Sequence, residues 1–171
     1  MLIILDRDGV INENRSDYVK TVDELVLFQR SIEAINCLLA KGYAVCVASN
    51  QAGVGKKIIS HKDIVAIEEE INSKLVRPID FYYCYHKAED RCECRKPKSG
   101  LLERIITDHG SNPEIFIGDN ITDYYAAEKI NVNFALVRTG MGSQFLNRLP
   151  RHVPIFDDLL CYVETARDAK Q

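Results

Sequence analysis

Two carboxylates one residue apart follow directly on a short apolar run at the start of the chain. The run is Leu2-Ile3-Ile4-Leu5, and the carboxylates are Asp6 and Asp8. A buried strand of a parallel α/β sheet presents its ligand-handling groups just past its carboxyl end, so both side chains would lie where substrates bind. Asp and Gly also favour tight turns, and Asp6-Arg7-Asp8-Gly9 taken alone fits a turn equally well. Other features of the sequence are needed to distinguish a simple turn from a functional site.

Polar groups recur after two later apolar runs. Ser49-Asn50-Gln51 follows the second run, and Gly118-Asp119-Asn120, with Asp123 beyond it, follows the fourth. The carboxyl ends of parallel strands meet at one edge of a sheet, so these groups should gather in one crevice with the first pair of carboxylates. That pair and Asp119 would form the oxygen-rich environment that Mg²⁺ prefers.

Three ionised carboxylates in one crevice repel one another, so a cation must accompany them. Mg²⁺ would supply positive charge, and so would Lys96, as a mobile point charge from the basic segment Arg95-Lys96-Pro97-Lys98 ahead of the fourth run. An anionic group such as phosphate can then be bound there. A carboxylate beside a metal-held phosphoryl group can attack phosphorus and form an acyl phosphate that water cleaves. Asp6 is the candidate nucleophile.

Four metal-binding side chains lie within eleven residues: Cys84, His86, Cys92 and Cys94. Three thiolates and one imidazole are a full tetrahedral set for Zn²⁺, with no position left open for water, which predicts a structural site. The alternative is a group of reduced thiols with a surface histidine. Because a single residue separates Cys94 from Lys96, bound zinc would fix where the lysine points without contacting substrate. The other cysteines lie in apolar segments and are expected to be buried: Cys37, Cys46 and Cys161.

Length and charge restrict the class of protein. With 171 residues, the chain is long enough for one well-buried core, so we expect a single domain spanning residues 1–171. A formal net charge of -3 gives no electrostatic reason to expect nucleic acid or a membrane surface as a partner. No apolar run approaches the roughly 20 residues that span a bilayer, so we expect no signal peptide, no membrane helix and a cytoplasmic location. We expect the protein to act as a monomer.

Short apolar runs alternate with longer segments of helical period, which is typical of βαβ units. Five runs are candidate strands: Leu2–Leu5, Ala44–Ala48, Phe81–Cys84, Ile115–Ile117 and Phe134–Val137. Five segments are candidate helices: Ser31–Leu39, one that begins at Ser60, Leu101–Thr107, Thr122–Lys129 and Asp157–Ala169. The sequence therefore predicts an α/β protein with a doubly wound, Rossmann-like, mostly parallel sheet in a three-layer α/β/α sandwich, without a separate cap domain.

Four short motifs at these strand ends resemble those of the haloacid dehalogenase-like phosphohydrolases. They are, in order, Asp6-x-Asp8-Gly9, Ser49-Asn50, Lys96 and Gly118-Asp119-x-x-x-Asp123. The resemblance implies that Asp6 is the nucleophile, and that Asp8 protonates the leaving alcohol and then activates water. It implies that Asp6, Asp119 and the backbone carbonyl of Asp8 hold Mg²⁺. It also implies that Ser49 and Asn50 bind the phosphoryl oxygens and that Lys96 neutralises them.

The segment from Cys84 to Lys98 is similar to that of two branches of this family, the D,D-heptose 1,7-bisphosphate phosphatases and the histidinol-phosphate phosphatases. Ile11-Asn12 and Tyr82-Tyr83-Cys84 look more like the heptose branch. That resemblance implies an Mg²⁺-dependent phosphatase acting on the 7-phosphate of D-glycero-D-manno-heptose 1,7-bisphosphate, on the route to nucleotide-activated heptose for surface polysaccharide. Histidinol phosphate is the alternative substrate. The chain departs from the pattern at Tyr85, where a proline is usual.

Substrate selection should come from short loops, since each gap between motifs is used up by a helix and a strand of the core. The loops are residues 12–19, residues 51–57 and the zinc loop, residues 84–94. In a bisphosphate, the phosphate that is not transferred needs its own anchor, and the planar guanidinium of Arg95 is the first candidate. Further candidates for substrate binding are Gln51, Lys56, Lys57 and Arg138.

Two other kinds of protein share part of this pattern. A signalling receiver that accepts phosphate also combines clustered aspartates, Ser or Thr, and Lys on a doubly wound fold, but it has no use for Asp8 or for a zinc loop. A degenerate family member that only binds a partner is a third possibility, and the intact set from Asp6 to Asp119 argues against it. We therefore expect an enzyme that acts on a small phosphorylated sugar.

Overall fold

A six-stranded parallel sheet forms the centre of the molecule. The computed structural model describes residues 1–168. The strands are β1 (Leu2–Leu5), β2 (Ala44–Asn50), β3 (Asp80–Cys84), β4 (Pro113–Gly118), β5 (Phe134–Val137) and β6 (Ile155–Phe156). They are arranged in the order β3-β2-β1-β4-β5-β6, and every pair is parallel. The strand order reverses between β1 and β4, which is where open α/β sheets bind their ligands.

Helices cover both faces of this sheet. Within the described residues, the α-helices are α1 (Gln29–Ala40), α2 (Ala52–Gly55), α3 (His61–Ser73), α4 (Gly100–His109), α5 (Ile121–Glu128) and α6 (Leu159–Asp168). Apolar residues of α1, α3 and α6 share one buried cluster, and those of α4 and α5 share another. The expected three-layer α/β/α sandwich is therefore confirmed.

Strand β1 shows why the strands of this sheet have continuous apolar sequences. Successive side chains of a strand point to opposite faces. Ile3 and Leu5 accordingly pack in one cluster, and Leu2 and Ile4 pack in the other. Both faces are covered, so the four residues are all buried, and the polar residues begin only where the strand ends.

The predicted strands and helices are all present, and their ends differ from the prediction by at most two residues. The predicted end of the last helix, Ala169, lies outside the described residues. Two elements were not predicted, α2 and β6, because four and two residues are too few to show a period. Strand β2 extends to Asn50, so Ser49 and Asn50 are its last residues rather than part of a following loop.

The expectation for the three cysteines outside the zinc loop was partly wrong. Cys46 lies in β2 and is buried, but Cys37 and Cys161 are only half-buried. These two lie on the outer helices α1 and α6, where an apolar stripe covers only one side of the helix. None of the helices formed by residues 1–168 is long and apolar enough to cross a membrane.

Candidate active site

The carboxyl ends of β1, β2 and β4 bring the predicted polar groups to one edge of the sheet. Asp6 continues β1, and its backbone N–H donates to the carbonyl of Ile117 in β4 at 2.9 Å. A cavity of about 310 Å³ opens at this edge. Its lining includes eight of the predicted residues, but not the further candidates Lys56, Lys57 and Arg138. The eight are Asp6, Asp8, Ser49, Asn50, Gln51, Arg95, Lys96 and Asp119.

Lys96 is buried in the centre of this edge, with only 3% of its surface exposed. Its ammonium group lies 3.0 Å from Oδ1 of Asp6 and 2.6 Å from Oδ1 of Asp123, and it donates to the carbonyl oxygen of Ala48 at 2.8 Å. Burial opposes the charged form, but Asp123 and Asp6 raise the pKa of Lys96 above its ordinary value. The lysine is charged and held by three acceptors, so the expected mobile point charge is in fact a fixed one.

Asn50 holds Lys96 at the site, although the Lys96 segment does not follow directly on a strand. Its side-chain amide donates to the carbonyl oxygen of Lys96 at 3.0 Å and accepts from the backbone N–H of Lys96 at 3.1 Å. This reciprocal pair fixes the Lys96 backbone against the end of β2. The side chain of Asn50 thus positions the lysine, and a direct contact of Asn50 with phosphate stays a prediction.

Asp119 follows β4 and is enclosed by two glycines. Its Oδ2 accepts from the backbone N–H of Met141 at 2.7 Å. A Cβ atom at Gly9 would lie 2.0 Å from this carboxylate oxygen, and one at Gly140 would lie 2.2 Å from it. Both glycines have positive φ angles, 87° and 56°, which side chains disfavour. Larger residues at either position would displace Asp119.

Asp8 is the most heavily hydrogen-bonded carboxylate of the site. Nη2 of Arg7 donates to its two oxygens at 2.9 and 3.0 Å, Asn12 donates to Oδ1 at 2.9 Å, and Gln51 donates to Oδ2 at 2.7 Å. Burial opposes ionisation, but the Arg7 charge and these hydrogen bonds hold the pKa of Asp8 below its ordinary value. The amide of Gln51 also donates to Oγ of Ser49 at 3.0 Å, so Gln51 links two predicted catalytic groups.

The three aspartates around Lys96 need more positive charge than the lysine provides. Burial, with the charges of Asp123 and Asp8, raises the pKa of Asp6 to about 7 in spite of Lys96. Burial, with the charges of Asp6 and Asp123, raises the pKa of Asp119 to about 8. One carboxylate oxygen from each of Asp6, Asp119 and Asp123 lies within 4.8 Å of the others. The donor set and its mutual repulsion fit a divalent cation with oxygen ligands.

The four side chains of the zinc loop converge on one point. The Sγ atom of Cys94 lies 3.1 Å from that of Cys84 and 3.2 Å from Nδ1 of His86. Cys92 lies 3.6 Å from both other sulfurs. Ligands of a tetrahedral zinc ion stand about 3.5 to 3.8 Å apart, given metal–ligand distances of about 2.0 to 2.3 Å. The four ligand atoms lie within 4.8 Å of one another, so the cluster could hold a metal ion, and a structural zinc site stays a prediction.

The rim of the cavity contains cations that differ in their freedom to meet a substrate. Arg95 lines the cavity and makes one weak contact there, from Nη1 to the carbonyl oxygen of His86 at 3.4 Å. Arg138 does not line it and pairs instead with Asp157 at 3.2 Å. Lys56 does not line the cavity either, but its ammonium group lies 5.6 Å from the ring centroid of Tyr18, which does. Arg95 is thus the best-placed anchor among those predicted.

Four residues of the site had no individual role predicted for them. Arg7 and Asn12 are buried around the catalytic groups, and Arg15 and Tyr18 line the cavity. A charged residue immediately beside a predicted catalytic aspartate was the available signal for Arg7. The other three act through loop geometry that no local pattern records. Asp123, expected in this crevice as part of the fourth motif, is buried there.

A second cavity lies at the opposite edge of the sheet. It is larger, about 540 Å³, and is bounded by the amino ends of β4 and β5. Its lining includes Glu114, Glu128 and His152, but the described residues place no metal-binding group of three there. The predicted catalytic groups line the smaller cavity, so the larger cavity is not the candidate active site.

The chain resembles a known family model and several characterised sequences. Residues 1–135 match the family described as polynucleotide kinase 3 phosphatase. A D-glycero-beta-D-manno-heptose-1,7-bisphosphate 7-phosphatase of Neisseria meningitidis serogroup A is 38% identical, over 93% of this chain and 90% of the relative. The enzyme of the same name from Pseudomonas aeruginosa is 40% identical, over 92% of this chain and 93% of the relative.

Solved structures resemble the fold over nearly the whole chain. The D,D-heptose 1,7-bisphosphate phosphatase of B. bronchiseptica, crystallised with magnesium and phosphate, superposes with a TM-score of 0.93 at 29% identity, covering 98% of each chain. The enzyme of the same name from Burkholderia thailandensis gives a TM-score of 0.74 at 28% identity, covering 97% of each chain.

Proposed function

Since the chain belongs to the haloacid dehalogenase-like heptose bisphosphate 7-phosphatases, we propose that it removes the 7-phosphate of D-glycero-beta-D-manno-heptose 1,7-bisphosphate. It is a phosphoric monoester hydrolase, and the family resemblance that its four motifs carry is confirmed. The β anomer is proposed because relatives at 36–40% identity carry it in their names. The product would enter the synthesis of nucleotide-activated heptose for surface polysaccharide.

The observation that carries this proposal is the meeting of Asp6, Asp8 and Lys96 at the carboxyl edge of the sheet. In the first step, a carboxylate oxygen of Asp6 forms a bond to phosphorus while the bond from phosphorus to the sugar oxygen breaks. Asp8, which takes up the proton of the bound phosphate monoanion, gives a proton to that departing oxygen. In the second step, Asp8 takes a proton from water, the water oxygen bonds to phosphorus, and the bond to Asp6 breaks.

The residues proposed to hold Mg²⁺ are Asp6 and Asp119 through their side chains and Asp8 through its backbone carbonyl. When bound, the ion would polarise the phosphoryl group and offset the charge of the carboxylates. Lys96 would neutralise the phosphoryl oxygens from its fixed position between Asp6 and Asp123. Ser49, at the buried end of β2, is proposed to bind a phosphoryl oxygen, whereas Asn50 and Gln51 contribute mainly by positioning Lys96 and Asp8.

The zinc loop is proposed to bind Zn²⁺ through Cys84, His86, Cys92 and Cys94 as a structural site. Arg95 follows the last of these ligands, and Lys96 comes next. Ordering of the loop would therefore fix both the buried lysine and the rim arginine. Arg95 is proposed to bind the 1-phosphate, since its guanidinium lines the cavity with few other partners.

Three further proposals concern the protein as a whole. Residues 1–171 would act as one domain without a cap, because residues 1–168 build one sheet whose connections are helices of the core. We also propose a cytoplasmic location and a monomeric state. Sedimentation velocity with and without substrate tests the last of these directly, because a dimer would sediment faster.

Steady-state kinetics on a matched panel test the proposed substrate. The β and α anomers of the heptose bisphosphate and histidinol phosphate would be compared by kcat/KM in the presence of Mg²⁺. We expect the β anomer to be preferred over histidinol phosphate by about 100-fold or more, since only a bisphosphate engages both phosphate subsites. Phosphorus NMR should show loss of the 7-phosphate and retention of the 1-phosphate. A higher kcat/KM for histidinol phosphate, or loss of the 1-phosphate, would overturn the assignment.

A further inference from the structure

Arg7 is the largest fully buried side chain of the described residues, and it carries a full charge next to the nucleophile. Its backbone N–H donates to Oδ1 of Asp6 at 2.7 Å. Its guanidinium turns back to Asp8, where Nη2 donates to both carboxylate oxygens and Nε donates to Oδ1 at 3.2 Å. Burying an arginine is costly unless its charge is paired, so an exposed or apolar residue would be expected here if the position had only to fill space.

We propose that Arg7 is a positioning residue that fixes the carboxylate of Asp8 for proton transfer to the leaving alcohol. The inference rests on the proposed function, in which Asp8 is the acid of the first step. Arg7 is too deeply buried to contact substrate, and it does not line the cavity. All hydrogen bonds of its guanidinium go to Asp8, so its effect on geometry passes through that carboxylate.

The remaining hydrogen-bonding positions of Asp8 support this role. Asn12 and Gln51, both buried, donate to Oδ1 and Oδ2, and Arg7 approaches both oxygens from one side. A carboxylate on a single pair of torsions could adopt several orientations, but these three donors select one. The planar fork of arginine contacts both oxygens together, which a lysine ammonium does not reproduce.

Tyr83, which interacts electrostatically with Arg7, belongs to a stack of aromatic rings. Tyr83 of β3 lies between Phe81 and Tyr85, with ring centroids 5.9 and 5.7 Å apart. The buried hydroxyl of Tyr83 lies within electrostatic reach of the guanidinium. Both that hydroxyl and Nη1 of Arg7 are buried without a hydrogen bond in the structure. Tyr85 belongs to the zinc loop, so the ring stack links that loop to Tyr83.

The choice of leaving group separates this role from a general structural one. A sugar alkoxide is a poor leaving group and needs the proton of Asp8, whereas 4-nitrophenolate leaves without one. For a two-step phosphatase, kcat/KM reports the first step only, so it is insensitive to the later use of Asp8 as a base. Loss of Asp8 positioning should therefore lower kcat/KM for the sugar phosphate and leave that for 4-nitrophenyl phosphate nearly unchanged.

The experiment compares Arg7→Lys and Arg7→Met with Asp8→Asn on both substrates. We expect each Arg7 variant to lower kcat/KM for the sugar bisphosphate by about 10- to 100-fold, with less than about a threefold change for 4-nitrophenyl phosphate. Asp8→Asn should show the same selectivity with a larger loss. Tyr83→Phe, which keeps the ring stack and removes the hydroxyl, should show a smaller loss of the same kind. Tyr82→Phe, on the opposite face of β3, should change neither value.

The outcomes distinguish a failure of the Arg7 positioning role from a failure of the proposed function. Equal losses on both substrates for Arg7→Lys would overturn the positioning role. If the Arg7 variants do not fold, Tyr83→Phe decides, and equal rates with wild type on both substrates would count against the inference. Should Asp8→Asn itself lack the selectivity for leaving group, the fault would lie with the proposed function, in which Asp8 is the acid.

Discussion

The ammonium group of Lys96 lies 3.0 Å from the nucleophile candidate Asp6 and 2.6 Å from Asp123, between two carboxylates that are far apart in the sequence. Asp123 is fully buried, and its other oxygen accepts from the backbone N–H of Asn120 at the start of α5. A carboxylate of α5 therefore holds the lysine on one side, and the nucleophile candidate Asp6 lies on the other. Its position depends on Asp123 as much as on Asp6.

Replacing Asp123 by Asn should therefore weaken both activity and stability. The amide keeps the shape but removes the charge that pairs with Lys96, so a buried ammonium loses one of its two anions. We expect kcat to fall about tenfold and the free energy of unfolding to fall by about 1 to 3 kcal/mol, as for a hydrogen bond to a charged group. Urea denaturation and phosphate release measure the two effects.

Glu70→Gln provides the matched control, because the Lys74–Glu70 pair is also short, 2.7 Å, but exposed. An exposed pair contributes about 0 to 1 kcal/mol, so this variant should resemble wild type. Equal stabilities of the Asp123→Asn and Glu70→Gln proteins would contradict the proposed importance of the buried pair.

The fold and the catalytic groups could be predicted from local patterns, whereas the contacts that position those groups could not. Ser60 was expected to begin a helix, and it caps α3 by accepting from the N–H of Asp63 while the Asp63 side chain accepts from the N–H of Ser60. Asn50 and Gln51 make contacts that were not predicted, to Lys96 and to Asp8. Such contacts join segments about 46 residues apart, and only the packed sheet edge determines them.

Magnesium should stabilise the protein more at higher pH. Without metal, burial and the neighbouring carboxylates raise the pKa of Asp6 to about 7 and that of Asp119 to about 8, well above the ordinary value of an aspartate. Between about pH 4 and pH 8 the folded state thus holds protons that the unfolded chain has released, so the metal-free protein loses stability as pH rises. Mg²⁺ replaces these protons, and its effect on Tm should grow over the same range.

Thermal denaturation with and without Mg²⁺ at about pH 5.5 and about pH 8 measures this effect. Asp119→Asn removes one anion and one proposed ligand, so its metal-free Tm should decline less with pH and respond little to Mg²⁺. A rise in Tm of equal size at both pH values would show that these carboxylates are not the groups that bind the ion.

Cys92→Ser should lower zinc content, activity and Tm together. The structure places Cys92 3.6 Å from each of the other two thiol sulfurs of the zinc loop, and the loop leads directly to Lys96. Metal analysis and phosphatase assays measure the change. Cys161→Ser is the control, since that cysteine is half-buried on α6 and should leave zinc and activity unchanged. A fully active, zinc-free Cys92→Ser protein would contradict the positioning role of the loop.

Arg95→Met should raise KM for the bisphosphate with little change in kcat. Loss of a charge-assisted hydrogen bond costs about 1.5 to 3 kcal/mol, which corresponds to a decrease in kcat/KM of about 10- to 150-fold. A sugar monophosphate lacks the second phosphate and should show a far smaller effect. Arg138→Met is the control, because that arginine pairs with Asp157 away from the cavity. Equal losses on both substrates would reject Arg95 as the 1-phosphate anchor.

The central claim, covalent transfer of the phosphoryl group to Asp6, is tested most directly by trapping the intermediate. Enzyme in excess would be mixed with radiolabelled heptose bisphosphate, quenched in acid within one turnover, and reduced with borohydride before peptide mapping. The account predicts transient protein-bound phosphate and homoserine at position 6, with neither in Asp6→Asn, whose fold should be retained. Full phosphate release without label on the protein, or label at another residue, would contradict it.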